Sequence, residues 1–132
     1  MKSAAIKIVS VYSIVIPLDE FAPSAEYSEE LAKAQKAQAE NAAEKAAATI
    51  RRSLPDSKLD LTTKVVTGNP PQVIVETAKE WNADLIVVGS HGRGFWKRML
   101  VGSVSDAVLH HAPCSVLVIR DSANFSENMQ LE

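Results

Sequence analysis

The sequence predicts an α/β fold, an open parallel sheet covered by helices. Three observations carry that expectation. Short β-branched segments alternate with longer stretches of helix-forming residues, the pattern of strand–helix–strand crossovers. Leu85-Ile86-Val87-Val88 is an uninterrupted apolar run, and so is Val116-Leu117-Val118-Ile119. Such runs suit strands buried on both faces of a parallel sheet. A chain of 132 residues is also the length of one domain. It can bury roughly 65–70% of its unfolded surface, so residues 1–132 are expected to form a single domain without disulfide or metal.

The first strand is expected over Ile6-Lys7-Ile8-Val9-Ser10-Val11-Tyr12, which is short and rich in β-branched residues. Residues 13–18 are apolar but broken by Pro17, and an acidic, proline-containing loop follows. From residue 24 to residue 53 the composition shifts to Ala, Glu, Gln and Lys, which predicts a helix. Leu31, Ala34, Ala42, Ala46 and Ile50 can share one of its faces, and a face of alanines lies close against what it covers. Pro55-Asp56-Ser57 ends it. Leu59, Leu61 and Thr63, then Val65-Val66, alternate as a second strand.

Gly68-Asn69-Pro70-Pro71 is the clearest turn, and Pro71 suits the first position of the next helix, where a missing N–H costs nothing. Val73, Ile74, Thr77, Ala78 and Trp81 follow helical spacing. Residues 85–88 form the third strand, and a loop over residues 89–100 precedes a helix from Ser103 to His111. Ser115–Ile119 is the last strand. The polar composition of residues 121–132 predicts a frayed, flexible tail. No repeat or linker interrupts the order.

Net charge is −2, with 14 basic and 16 acidic residues and no long run of either sign. A nucleic-acid surface needs clustered Lys and Arg, so that class is excluded as an expectation. No apolar run reaches the ~18–20 residues of a membrane span, and no signal-peptide pattern opens the chain. The expectation is a cytoplasmic protein. Cys114, the single cysteine, is expected to be a buried, unreactive thiol.

The segment that carries chemistry is Gly89-Ser90-His91-Gly92-Arg93-Gly94, directly after the most apolar strand, followed by Gly102-Ser103 at the start of a helix. The spacing is Gly-x2-Gly-x9-Gly-Ser. Ligands of open α/β sheets bind beyond the carboxyl ends of the strands. Glycines let backbone amides approach an anion without a Cβ in the way, and a helix start adds unpaired amides and a favourable dipole. This spacing arises by chance in about 0.5% of chains of this length. The plain alternative is a tight loop and a cap. Ser103-Val104-Ser105-Asp106 is itself a capping box with Asp in place of Glu. Neither a Walker Gly-Lys-Ser/Thr sequence nor a Rossmann Gly-x-Gly-x-x-Gly is present.

These residues resemble the universal stress protein family, of its nucleotide-binding kind. The likeness rests on Val87-Val88-Gly89-Ser90-His91-Gly92-Arg93-Gly94, on Leu100-Val101-Gly102-Ser103-Val104-Ser105 and on His111-Ala112-Pro113-Cys114-Ser115-Val116-Leu117-Val118-Ile119, with support from Gly68-Asn69-Pro70 and Ala83-Asp84. The resemblance implies a Rossmann-like, adenine nucleotide alpha hydrolase-like fold that binds ATP, with Mg or Mn, and a homodimer formed through the last strand. It places Gly89, His91, Gly92, Gly102, Ser103, Val104 and Ser105 on the phosphates and ribose. It places Val11 along the adenine pocket, with Val88 nearby.

One departure is expected to matter. Family members begin with another strand, ending in an Asp-Gly-Ser type sequence whose Asp contributes to nucleotide binding, and then a helix. This chain starts at what corresponds to the family's second strand, and Asp19 lies beyond Pro17 on the wrong element. The slot, a gap of ~10 Å between neighbouring strands, would be filled by an upstream segment, by a neighbouring copy or residues 13–18, or closed by the sheet itself.

Other constellations are weaker. His110 and His111 point about 100° apart on one helix and do not share an ion easily, so surface histidines are the expectation. A serine hydrolase would need a Gly-x-Ser-x-Gly elbow, which is missing. Arg93, Lys97 and Arg98 around Phe95 and Trp96 read equally as phosphate support, a partner surface or a solvated loop. The leading expectation is ATP binding without an evident general base, in a stress-response or signalling role that leaves room for slow hydrolysis. The alternative is a protein-interaction module of the same fold that binds no nucleotide.

Overall fold

The computed structural model describes residues 4–13, 25–56, 58–89 and 103–119. Element order is β1 (Ala4–Tyr12), α1 (Ala25–Ser53), β2 (Leu59–Thr67), α2 (Pro70–Trp81), β3 (Leu85–Gly89), α3 (Ser103–His111) and β4 (Ser115–Ile119). This is the expected α/β alternation, and both strand pairs are parallel. Among the described residues the ladders form two two-stranded sheets, β1–β2 and β3–β4. The chain divides into two compact units, the first ending at Pro70 and the second beginning at Pro71.

In the first unit β1 and β2 pair without a bulge from Ala4 beside Leu59 to Tyr12 beside Thr67. β1 begins two residues earlier than its β-branched run, because Ala4 and Ala5 find partners on β2 and extend the ladder. The Gly68 amide donates to the Tyr12 carbonyl at 3.0 Å and ties the ends of both strands together. Gly68 has φ 153°, a region open to glycine and costly for a residue with a Cβ.

α1 packs on both strands. Its 29 residues make a rod of roughly 43 Å, longer than the roughly 30 Å of a nine-residue strand. Its buried residues, Ala39, Ala43 and Ala47, lie four apart on one face in the C-terminal half of the helix. With no side chain beyond Cβ, they bring the helix axis close to the sheet. The face is rotated from the expected one: Ala34 is exposed, and Ala42, Ala46 and Ile50 flank the buried row.

In the second unit, Ala78 of α2, Ile86 of β3 and Val108 of α3 form the core, and Val108 is 0% exposed. Val88, Val104, Val116 and Cys114 pack around them. α2 begins at Pro70 rather than Pro71. Both prolines sit in the first turn, where an N–H would have no intrahelical acceptor and its absence costs nothing, and Asn69 stands at the cap position. Its far end closes at Asn82, which takes the left-handed conformation (φ 53°). The Ala83 amide donates to the Ala78 carbonyl at 2.9 Å and the Asn82 amide to the Lys79 carbonyl at 3.2 Å. This is a Schellman closure with Asn in place of the usual Gly.

The β3–β4 sheet departs from the expectation of burial on both faces. Ile86 is buried and Val88, Val116 and Val118 are half-buried, whereas Leu85, Val87, Leu117 and Ile119 on the opposite face are about half exposed. The reason lies in the order of elements. α2 and α3 supply the core on the Ile86 side, and within the second unit the described helices pack on that side.

Two outcomes follow from these contacts. Ala43→Leu forces a branched side chain into the α1–sheet contact and lowers stability by about 1–3 kcal/mol in urea unfolding, whereas the same change at exposed Ala34 does not. Asn82→Val, placing a β-branched residue in the left-handed region, costs roughly 1–2 kcal/mol, and Asn82→Gly leaves the unfolding midpoint unchanged or raises it.

Candidate functional site

A parallel strand followed by a crossover helix brings a strand's carboxyl end and a helix's amino end to the same edge of the fold. In the second unit that edge is built from Gly89, the last residue of β3, and Ser103-Val104-Ser105, the first residues of α3. Gly89 pairs with Ile119 at the end of the ladder. The Ser105 hydroxyl donates to the Gly89 carbonyl at 2.6 Å, across 16 residues of sequence. Ser105 is 2% exposed. Val88 and Val104, one on each side of this bond, pack on the Ala78–Ile86–Val108 cluster, so the core holds both elements from below.

Amides at the start of α3 have no carbonyl one turn earlier in the helix to bind. Together with the helix dipole they make the edge favourable to an anion. Asp106, in the same turn, is exposed, and its Oδ1 lies 3.5 Å from Nε2 of His110, one turn further on. The carboxylate is thus directed along the outer surface of α3 toward a histidine. His111 ends the helix. Among the described residues no group of three or more His, Cys, Asp and Glu side chains is placed to hold a metal ion. No helix among them is long and apolar enough to cross a membrane.

The sequence matches the family model described as "Universal stress protein family" over residues 2–120. The chain belongs to the universal stress protein family. Universal stress protein A homolog 2 of Coxiella burnetii is 52% identical over 56 residues, 42% of this chain and 38% of that protein. The matched segment thus spans about two-fifths of that curated relative. Among solved structures, this universal stress protein is similar to UspA from Lactobacillus plantarum, with TM-score 0.69 and 28% identity over 89% of this chain and 78% of that one. It is similar also to the hypothetical protein MJ0577, with TM-score 0.71 and 27% identity over 92% of this chain and 78% of that one. These likenesses agree with the Rossmann-like α/β fold read from the sequence.

Of the residues singled out by sequence, Val88, Gly89, Ser103, Val104 and Ser105 lie together in the second unit. Val11 belongs to the first unit, half-buried near the end of β1 and paired with Val66. His91, Gly92 and Gly102 lie outside the described residues, as do residues 13–18 beyond Ser13, the basic and aromatic residues 93–98 and the tail 121–132. Cys114 is half-buried against the core rather than fully enclosed. The part that sequence reasoning missed is the Gly89 carbonyl as an acceptor. The only available signal was a second serine, one helical residue beyond Val104, on the turn whose inner face carries valines.

Proposed function

We propose that this universal stress protein binds ATP at the β3–α3 edge. The observation that carries the reading is the 2.6 Å bond from Ser105 to Gly89, which holds the first glycine of Gly-x2-Gly-x9-Gly-Ser against the helix that begins at the motif's serine, Ser103. Backbone amides of the 89–94 loop and of residues 102–105 bind the phosphates in this reading. In this reading Gly89, His91, Gly92, Gly102, Ser103, Val104 and the backbone of Ser105 meet the phosphates and ribose, and Val88 lies toward the adenine. Glycine-rich turns and free helix amides fit a polyphosphate by chemistry, and Mg or Mn arrives with the triphosphate. With no general base assigned, the role is nucleotide-dependent signalling in the stress response, within the cytoplasm, and any hydrolysis is slow.

The same reading treats residues 1–132 as one domain whose partner is a second copy joined through β4. The support is that β4 pairs with β3 along one edge and presents Leu117 and Ile119 to solvent. That exposed face of Leu85, Val87, Leu117 and Ile119 favours a second reading as well, a protein-interaction module that binds no nucleotide.

Calorimetry with ATP and Mg²⁺ separates the two. The expected result is saturable binding by the 132-residue chain, weakened about tenfold or more (roughly 1.4 kcal/mol) in Gly102→Val with the circular dichroism unchanged. A folded wild-type chain that takes up no ATP, and carries no excess absorbance at 260 nm after purification, sinks the nucleotide reading in favour of the interaction module.

A further inference from the structure

The resemblance assigns Ser105 to the ligand, yet its hydroxyl is already occupied. A serine hydroxyl has one proton to donate. Here that proton goes to the Gly89 carbonyl at 2.6 Å, at the short end of the O–H···O range. The residue is 2% exposed, which leaves the hydroxyl little room to turn toward solvent. The oxygens of an ionised phosphate accept hydrogen bonds and donate none, so this hydroxyl has nothing further to offer them.

From this juxtaposition of Ser105 with Gly89 we infer that Ser105 is a positioning residue: its hydroxyl clamps the first turn of α3 to the carboxyl end of β3 and sets the separation between the Gly89 backbone and the α3 amides. Among the described residues, the two elements also meet from below through apolar contacts on the shared core, Ile86 and Val88 of β3 and Val104 and Val108 of α3. Those apolar contacts fix distance but not rotation. A directional bond at the third residue of α3 fixes the rotation of the helix about its axis, and with it the direction of the unpaired first-turn amides. The inference rests on the nucleotide reading for its ligand, but the clamp itself exists without ligand and is tested without one.

The test is amide hydrogen exchange on the ligand-free protein, followed by ATP titration, for wild type, Ser105→Ala and Ser105→Thr. Ser105→Cys, which keeps a side chain beyond Cβ but has only a weak donor, serves as a second loss variant should the alanine protein fail to fold. The expected result is faster exchange at Gly89 and along α3 in the alanine or cysteine protein, with the α1 amides of the other unit unchanged. ATP affinity should fall about fivefold to tenfold, the scale of one lost hydrogen bond. The threonine protein, which keeps the hydroxyl, should recover both. Unchanged exchange at Gly89 and α3 overturns the inference. So does an affinity loss without any change in exchange, because that result makes Ser105 a direct ligand contact. A wild-type chain that binds no ATP removes the nucleotide reading alone, and the exchange comparison then still decides whether the clamp operates.

Discussion

Parallel strands cannot be joined by a tight turn. Each pair in this protein needs a chain segment that leaves one strand end and returns to the opposite end of its partner, and a helix is the economical way to cover that distance with every backbone group satisfied. The rest of the structure depends on this constraint. It explains why α1 lies between β1 and β2, and α3 between β3 and β4. It also places the carboxyl ends of paired strands side by side, Tyr12 beside Thr67 and Gly89 beside Ile119. In each unit a polar bond is made at that end. In the first it runs from the Gly68 amide to the Tyr12 carbonyl, and in the second from the Ser105 hydroxyl to the Gly89 carbonyl.

Much of the fold was legible because local chemistry and tertiary structure agree. Ser103–His111 and Ser115–Ile119 occupy the positions expected from pattern alone, and β2 and β3 extend theirs by one residue. The alanine-rich stretch is a helix, and its alanines do bring it close to the sheet. What pattern could not supply is rotation. Alanine is compatible with a buried or an exposed surface, so a helix rich in it carries a weak apolar stripe. The row that faces the sheet is Ala39, Ala43 and Ala47 rather than the row through Ala34. Burial of the short apolar strands was likewise overread. A run such as Leu85-Ile86-Val87-Val88 has the composition for two covered faces, but composition does not say whether a second layer is there.

The candidate site divides in a similar way. The glycine and serine spacing marks where the backbone can come close to an anion, since that depends on the absence of Cβ atoms. Which hydroxyl is open to solvent and which is bound within the protein depends on burial and direction. Ser103 and Ser105 look alike in sequence; one is exposed, and the other is enclosed with its proton committed to Gly89. The Schellman closure at Asn82 was hidden for a related reason. Asn is tolerated in the left-handed conformation without announcing it as Gly does.

The exposed apolar face of β3 also has a meaning in time. Leu85 pairs with Ser115, so ~30 residues of chain must be made after β3 appears before its partner exists. At about 5–20 residues per second, the nascent strand spends seconds with both edges open. During that interval it is a short, uncharged, β-branched segment, the kind of sequence that pairs with its neighbours on a crowded polysome. Pairing with β4 is therefore the event that closes one edge of β3, and it waits on the last strand of the second unit to be made.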